Sequence, residues 1–297
     1  MVAAFSCLVR FKDAAGTVRY GDVPSGPDNL VGSTANVLSG EEPWDLKPTE
    51  DTAQIAEVLC PLESTPLVYG IGLNYKKHIE ESGFPTPEFP VVFTKPGDSL
   101  AGPYEDIPVD ARCEQLDYEG ELLVVIGKDV RGFRKGDDPL PYILGYSVSN
   151  DVSSRFWQTP QRCGNQHGMA KSFDKFAPIG PAILSPESPL IKDKIQDGAP
   201  NLQLQTFVNG ELRQETNTDD LLFRMTDLLE YISMGRTVRK GTIIMTGTPS
   251  GVAAFMKPPA WLKTGDVVEI KIEALGSIKN KMRVSASDPE RGANANV

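Results

Sequence analysis

A strand-rich α+β fold is what this sequence predicts, on three observations. Its 297 residues include 27 glycines and 24 prolines, about one residue in six. That density of breakers argues against a helical bundle or coiled coil and for many short strands joined by turns. Short apolar runs closed by turn residues recur along the chain, whereas helical periodicity is clear over a single long segment. Strands and helices do not alternate regularly, so α+β or a mixed β fold fits better than a βαβ array. The content of 40% hydrophobic and 24% charged residues is ordinary for a globular protein. A chain of this length buries roughly three-quarters of its unfolded surface.

The elements follow in chain order. Residues 5–11 and 17–23 flank an Ala-Ala-Gly turn and predict a hairpin. Residues 24–50, rich in Gly, Pro, Ser, Asn and Thr, read as loop with brief structure. Residues 51–60 stay open between a strand and a helix with Ile55, Val58 and Leu59 on one face. Residues 67–71, closed by Gly72, read as a buried strand. The polar stretch 74–82, ended by Gly83, permits a helix. Residues 91–94, 118–126 (YEGELLVVI) and 142–149 are further strands. Residues 202–208 alternate and lead into Asn209-Gly210, the best short-range hairpin signal in the chain. Residues 220–233 form the clearest helix, with Leu221, Leu222, Met225, Leu228, Leu229 and Ile232 on one face. Thr218 or Asp219 can cap it and Gly235 can end it. Residues 242–246 and 267–272 close the chain as strands. The organisation predicted is a small N-terminal domain over 1–65, a larger domain over 66–284 and a flexible tail over 285–297.

Composition excludes several function classes. The formal charge is −10 with no Lys/Arg-rich run. Nucleic acid is therefore not an expected partner, because phosphate binding needs clustered positive charge. No stretch approaches the length of a membrane span, and residues 1–12 lack the pattern of a signal peptide, so a cytoplasmic location with no membrane partner is expected. The four cysteines are far apart and form no CxxC pair, as in a reduced thiol set. Only two histidines are present, His78 and His167. A histidine-rich metal site is ruled out, and any metal must sit mainly on carboxylates, which favours Mg²⁺, Mn²⁺ or Ca²⁺.

Three clusters can carry chemistry. In DYEGEL, residues 117–122, period-two geometry puts Glu119 and Glu121 on the same face of a strand. Two adjacent glutamates repel unless a cation or proton lies between them, although such a pair also decorates solvent-facing edge strands. In SNDVSSRFWQ, residues 149–158, Asp151 ends an apolar strand, as a turn cap or as a ligand, and Arg155 can pair with it or bind an anion. In GLNYKKHIEES, residues 72–82, one helical turn aligns His78 with Glu81. A carboxylate beside histidine fixes its tautomer and raises its basicity, as a general base requires, though an exposed neighbour pair has the same spacing. Lys171 in AKSFD and Lys95 in FTKPGDS are candidate cations for a carboxylate or a developing enolate. The TGTPSG turn, residues 246–251, offers hydroxyls and backbone donors to an anion.

Taken in order, GxNYxxH (72–78), FxKP (93–96), DYEGEL (117–122), NDVSSRFWQ (150–158), AKSFD (170–174), VNGELRQ (208–214) and TGTPSGV (246–252) resemble the fumarylacetoacetate hydrolase (FAH) superfamily over residues 66–284. The C-terminal run from residue 246 looks closest to the subgroup called FAH domain-containing protein 2, which also carries a leading segment like residues 1–65. The resemblance implies a mixed β-sandwich roll, the FAH-like fold, with a Mg²⁺ site and a homodimer. It implies that Glu119, Glu121 and Asp151 bind the metal, and that His78 with Glu81 activates water or moves protons. Lys171 matches the active-site lysine, and Arg155, Gln158 and Thr248 match the substrate pocket; Lys95, from its strand-end position alone, is a further candidate cation for the substrate. Two departures stand out. Phe156 replaces the acidic residue that often follows the arginine, and the stretch 159–169 is a residue longer and holds His167 where an aromatic is expected. That stretch lies near the family's substrate lid and leaves the substrate open.

The implied chemistry acts on a small 2-oxo acid through a metal-stabilised enolate. Hydrolysis of a C–C bond in an acylpyruvate-like substrate is the leading expectation. Oxaloacetate tautomerisation or decarboxylation, or a specialised step of secondary metabolism, share the same enolate. A catalytically silent scaffold is the expectation outside enzymes.

Overall fold

Both faces of the Gly120–Ile126 strand are covered, and the architecture follows from that. All seven of its residues are buried in this computed structural model, which describes residues 3–285. Leu122, Val124 and Ile126 point into one apolar core, while Leu123 and Val125 point into a second. The strand belongs to a twelve-stranded mixed sheet, with Ile143–Asn150 antiparallel on one side and Ile243–Met245 antiparallel on the other. The parallel pairing of Ile243–Met245 with Val68–Gly72 continues the sheet towards Val91–Lys95. The first core is shared with a five-stranded sheet that contributes Leu204, Val208, Val268, Ile270, Ile272 and Ile278. The second core is filled largely from the large sheet itself, which curls over Leu8, Tyr20, Leu38, Val68, Ile179 and Met245. This is the strand-rich α+β sandwich roll expected.

The leading hairpin forms as Cys7–Lys12 paired with Val18–Asp22. Residues 24–50, read as loop with brief structure, hold more strand than that: Thr34–Ser39 pairs with Lys47–Gln54, and Glu57–Val58 settles the open 51–60 stretch as strand. Cys7–Lys12 also pairs with Ala177–Leu184, Cys7 opposite Leu184, so residues on both sides of the boundary drawn at 65 share one sheet. The Asn209-Gly210 hairpin is present, both residues at positive φ (53° and 83°), which the two-residue turn requires. From residue 286 on, the expected tail lies outside the described residues. Among the described residues no helix is long and apolar enough to cross a membrane.

The 220–233 helix is shorter than its periodicity predicts. It runs from Met225 to Ser233, with Asp227 Oδ2 accepting from Arg224 N–H at its start (3.2 Å), and Thr218–Asp220 forms a separate 3₁₀ turn. The reason is tertiary. Asn74 takes the backbone of 222–223 for itself: Leu222 N–H donates to its carbonyl, and its side-chain amide both accepts from Phe223 N–H and donates to Phe223 O. These groups are then lost to a helical ladder.

Gly120, between the two glutamates, faces the five-stranded sheet. A Cβ there would stand 2.2 Å from Thr206 Oγ1 and 3.2 Å from Ile270 Cγ2. Gly120→Ala should therefore lower stability by about 1–3 kcal/mol, as overpacking of a rigid core does, read as a lower denaturant midpoint. An unchanged midpoint would mean that the sheets part freely at this point.

Candidate active site

The centre is built by strand register. Gly120 pairs with Asn150 and Glu121 with Ser149, and Asp151 N–H donates to Glu119 O at 2.9 Å, which puts Glu119 opposite Asp151. Period-two alternation then turns Glu119, Glu121 and Asp151 to one face. Small Ser149 opposite Glu121 leaves room there. One oxygen from each carboxylate lies within 4.8 Å of the others, and all three residues are buried. The edge-strand alternative for the Glu119–Glu121 pair is thereby overturned.

Cations from three other segments face this cluster. Lys171 Nζ donates to Glu119 Oε2 (2.8 Å), Asp151 Oδ2 (2.5 Å) and Ser153 Oγ (2.8 Å). Lys95 Nζ reaches Asp151 Oδ1 and Phe176 O, each at 2.5 Å. Arg155 donates from Nη2 to Glu119 Oε1 (2.5 Å), from Nε to Asp117 Oδ2 (2.8 Å) and from Nη1 to Gln158 Oε1 (2.7 Å). Burial works against charge at Glu119, yet Lys171 and Arg155 hold its carboxyl well below the usual range. At Lys95 burial dominates and lowers the ammonium's proton affinity.

Glu121 is the exception. Among the described residues it has no ion-pair partner, and its side chain accepts one hydrogen bond, from Gly247 N–H at 2.6 Å. Burial, then the neighbouring Asp151 and Glu119, push its carboxyl well above the usual range. Four carboxylates, counting Asp117, thus meet three cations. A buried oxygen-only triad with one carboxyl left without a cation fits a hard divalent cation.

His78 sits on the Lys76–Ser82 helix, which Gly83 ends in a left-handed conformation (φ 70°). Its Nδ1 is 3.1 Å from Glu81 Oε2. Glu81 is itself held by Gly251 N–H at 3.1 and 3.2 Å, so its carboxylate accepts from the ring and leaves His78 Nε2 free. The ring packs edge-on against Phe255. The 246–251 turn is pinned beside it: Thr248 Oγ1 donates to Gly120 O and accepts from Gln214 Nε2.

A cavity of about 430 Å³ opens onto this assembly, lined among others by His78, Glu119, Arg155, Gln158, Lys171 and Thr248. Lys95 does not line it. The lysine, expected to meet a substrate, is wholly buried here and bonded to Asp151, where it braces the carboxylates. Arg155 is also more committed than the sequence suggests, with three of its five N–H donors engaged within the protein. Sequence reasoning assigned no role to Asp117, Asn74 or Gln214. Asp117 pairs with Arg155 and caps the Ala253–Phe255 turn through Ala253 and Ala254 N–H (2.8 and 3.1 Å). Asn74 donates to Thr246 O at 2.7 Å. Gln214 accepts from Gly120 N–H at 3.0 Å. All three lie inside the quoted motifs, and position in a motif was the available signal.

The sequence profile described as "Fumarylacetoacetate (FAA) hydrolase C-terminal" matches residues 67–283. The chain is 40% identical to "Oxaloacetate tautomerase FAHD2B, mitochondrial" of Bos taurus, over 75% of this chain and 68% of the relative. It is 39% identical to the "Fumarylacetoacetate hydrolase domain-containing protein 2 homolog" of Dictyostelium discoideum, over 76% and 74%. Among solved structures, a 2-hydroxyhepta-2,4-diene-1,7-dioate isomerase from Mycobacterium marinum superposes with a TM-score of 0.78 at 29% identity, covering 95% of this chain and all of that one. A fumarylacetoacetate hydrolase from Exiguobacterium antarcticum superposes at 0.72 with 32% identity, over 94% and 99%. The order of motifs, the carboxylate centre and these matches agree, and the chain belongs to the fumarylacetoacetate hydrolase family, within which it is similar to FAH domain-containing protein 2.

Proposed function

We propose that this protein is a divalent-metal-dependent enzyme that interconverts the keto and enol forms of a small 2-oxo acid, oxaloacetate being the substrate to test first. The observation that carries the reading is a single cavity lined by His78, whose Nδ1 is held by a carboxylate, and by Glu119 of the buried carboxylate triad. Relatives named oxaloacetate tautomerase support the choice of reaction. Glu119, Glu121 and Asp151 would hold Mg²⁺, with Mn²⁺ or Ca²⁺ as substitutes. Bound there, the cation would supply Lewis-acid polarisation of the 2-oxo and carboxylate oxygens. The residues do the rest. His78 Nε2 takes a proton from C3 of the keto acid and returns it to the 2-oxygen, and the reverse regenerates the keto form with no other atom gained or lost. Glu81 keeps the ring in the right tautomer and steadies it while it carries the extra proton. Lys171 and Arg155 balance the charge of an entering anion.

C–C hydrolysis of an acylpyruvate-like substrate is the second reading, favoured by likeness to the Exiguobacterium antarcticum hydrolase. It differs in requiring a water at His78. Family membership supports a homodimer, which light scattering checks. The mitochondrial names of the curated relatives favour a mitochondrial setting over the cytoplasmic one read from the sequence, and cell fractionation decides.

Chelator-treated protein should be inactive on enol-oxaloacetate and recover with Mg²⁺ or Mn²⁺. Turnover without metal would defeat the reading, and product from acylpyruvates alone would favour hydrolysis. His78→Ala should keep metal binding by calorimetry yet lose about 100-fold or more in rate, the scale of a general base. Full activity would remove His78 from the reaction.

Glu121→Gln should abolish metal binding without harming the metal-free fold. Because the folded state raises the Glu121 pKa, the native protein holds a proton that the unfolded chain has released. Metal-free wild type should therefore lose stability as pH rises above the ordinary carboxylate range. The variant should lack this component and melt at an equal or higher temperature at neutral pH. A variant that still binds metal, or that melts lower at every pH, would contradict the assignment.

A further inference from the structure

The two histidines of this chain both line the cavity, and the proposed chemistry uses one. We propose that His167 is a substrate-recognising residue: held with its proton on Nε2, it donates a hydrogen bond to the distal carboxylate of a 2-oxo diacid. The inference rests on the reading above and deepens it by naming the substrate class.

Its tautomer follows from a chain of donors that starts at a group unable to accept. Arg155 has donors only, so the Gln158 atom that it meets at 2.7 Å is the amide oxygen. The amide nitrogen of Gln158 is then the atom 3.0 Å from His167 Nδ1, and it can only donate. Nδ1 therefore accepts, and the ring proton is on Nε2. Among the described residues Nε2–H has no hydrogen-bond partner. The ring is steadied edge-on against Phe93, at 6.4 Å between centroids, and the Lys171 ammonium lies 4.8 Å from the centre of that same Phe93 ring. Burial, then the charge of Lys171, disfavours a second proton on His167. The same positive neighbour favours an anionic oxygen beside the ring. The cavity thus offers, besides Glu119 and Lys171, a neutral donor at His167 for a further oxygen.

The test compares wild type, His167→Phe and His167→Gln, all loaded with Mg²⁺. Phe keeps the contact with Phe93 and removes the donor, whereas Gln restores an N–H. Two probes are used: oxaloacetate, and oxalate as an inhibitor that mimics the two-oxygen end alone. His167→Phe should raise KM for oxaloacetate roughly ten- to a hundredfold, the scale of a hydrogen bond to a charged group, with a smaller change in kcat. Oxalate inhibition should stay within about threefold of wild type, and His167→Gln should recover most of the loss. An equal loss for oxaloacetate and oxalate, a loss in kcat alone, or no loss in either overturns the inference while leaving the proposed reaction standing. Failure of the wild type to turn over any 2-oxo acid with Mg²⁺ or Mn²⁺ overturns both.

Discussion

Three carboxylates taken out of water side by side must be neutralised where they stand, and the structure around them answers that constraint. The strand ladder sets Glu119 opposite Asp151 and turns Glu121 to the same face, so the charges cannot move apart without breaking backbone hydrogen bonds. Leaving such groups unpaired costs several kcal/mol each by general experience. Cations therefore converge from distant parts of the chain: Lys95 from the end of one strand, Lys171 from the Gly168–Lys171 turn, and Arg155 from the turn after the Ser153–Ser154 strand. Each is held at more than one point, which keeps the cluster rigid. Glu121, the carboxylate left without a cation, is the feature a divalent cation would complete.

Much of this was legible in the residues, and what was not has a physical reason. Period two placed Glu119 and Glu121 on one face, because that depends only on strand geometry. Placing Asp151 beside them required a strand register, which local sequence does not carry; here the resemblance supplied it. The His78–Glu81 spacing on a helix was readable, and the hydrogen bond between them is present. The bond from Lys95 to Asp151 was not readable, because a lysine at a strand end looks the same whether it faces solvent, substrate or a buried aspartate. The long 220–233 helix failed for a related reason. Its periodicity was real, since Leu221, Met225, Leu228, Leu229 and Ile232 are all buried in one core. Yet Asn74, far away in sequence, claimed the backbone groups at 222–223 and moved the start to Met225. Tertiary hydrogen bonding overrides propensity wherever a distant side chain offers better partners. Residues 24–50 show the converse, polar and turn-rich in composition but supplying strands to the sheet edge, where polar side chains can face water.

How the cavity recognises an anion follows from which donors remain uncommitted. Lys171 has all three of its N–H donors engaged by Glu119, Asp151 and Ser153, and Arg155 has three of five engaged. Their charge still attracts an anion, but Lys171 has no donor left with which to distinguish one anion from another, and Arg155 keeps two. Discrimination then falls to groups with an open hydrogen-bonding position and a fixed orientation. Arg155 is central to this as well. Through Gln158 Oε1 it sets the amide, and through the amide it sets the imidazole of His167, while its other nitrogens hold Glu119 and Asp117. One guanidinium thus links the carboxylate centre to His167 through three hydrogen bonds, so a change at Glu119 is felt at the imidazole.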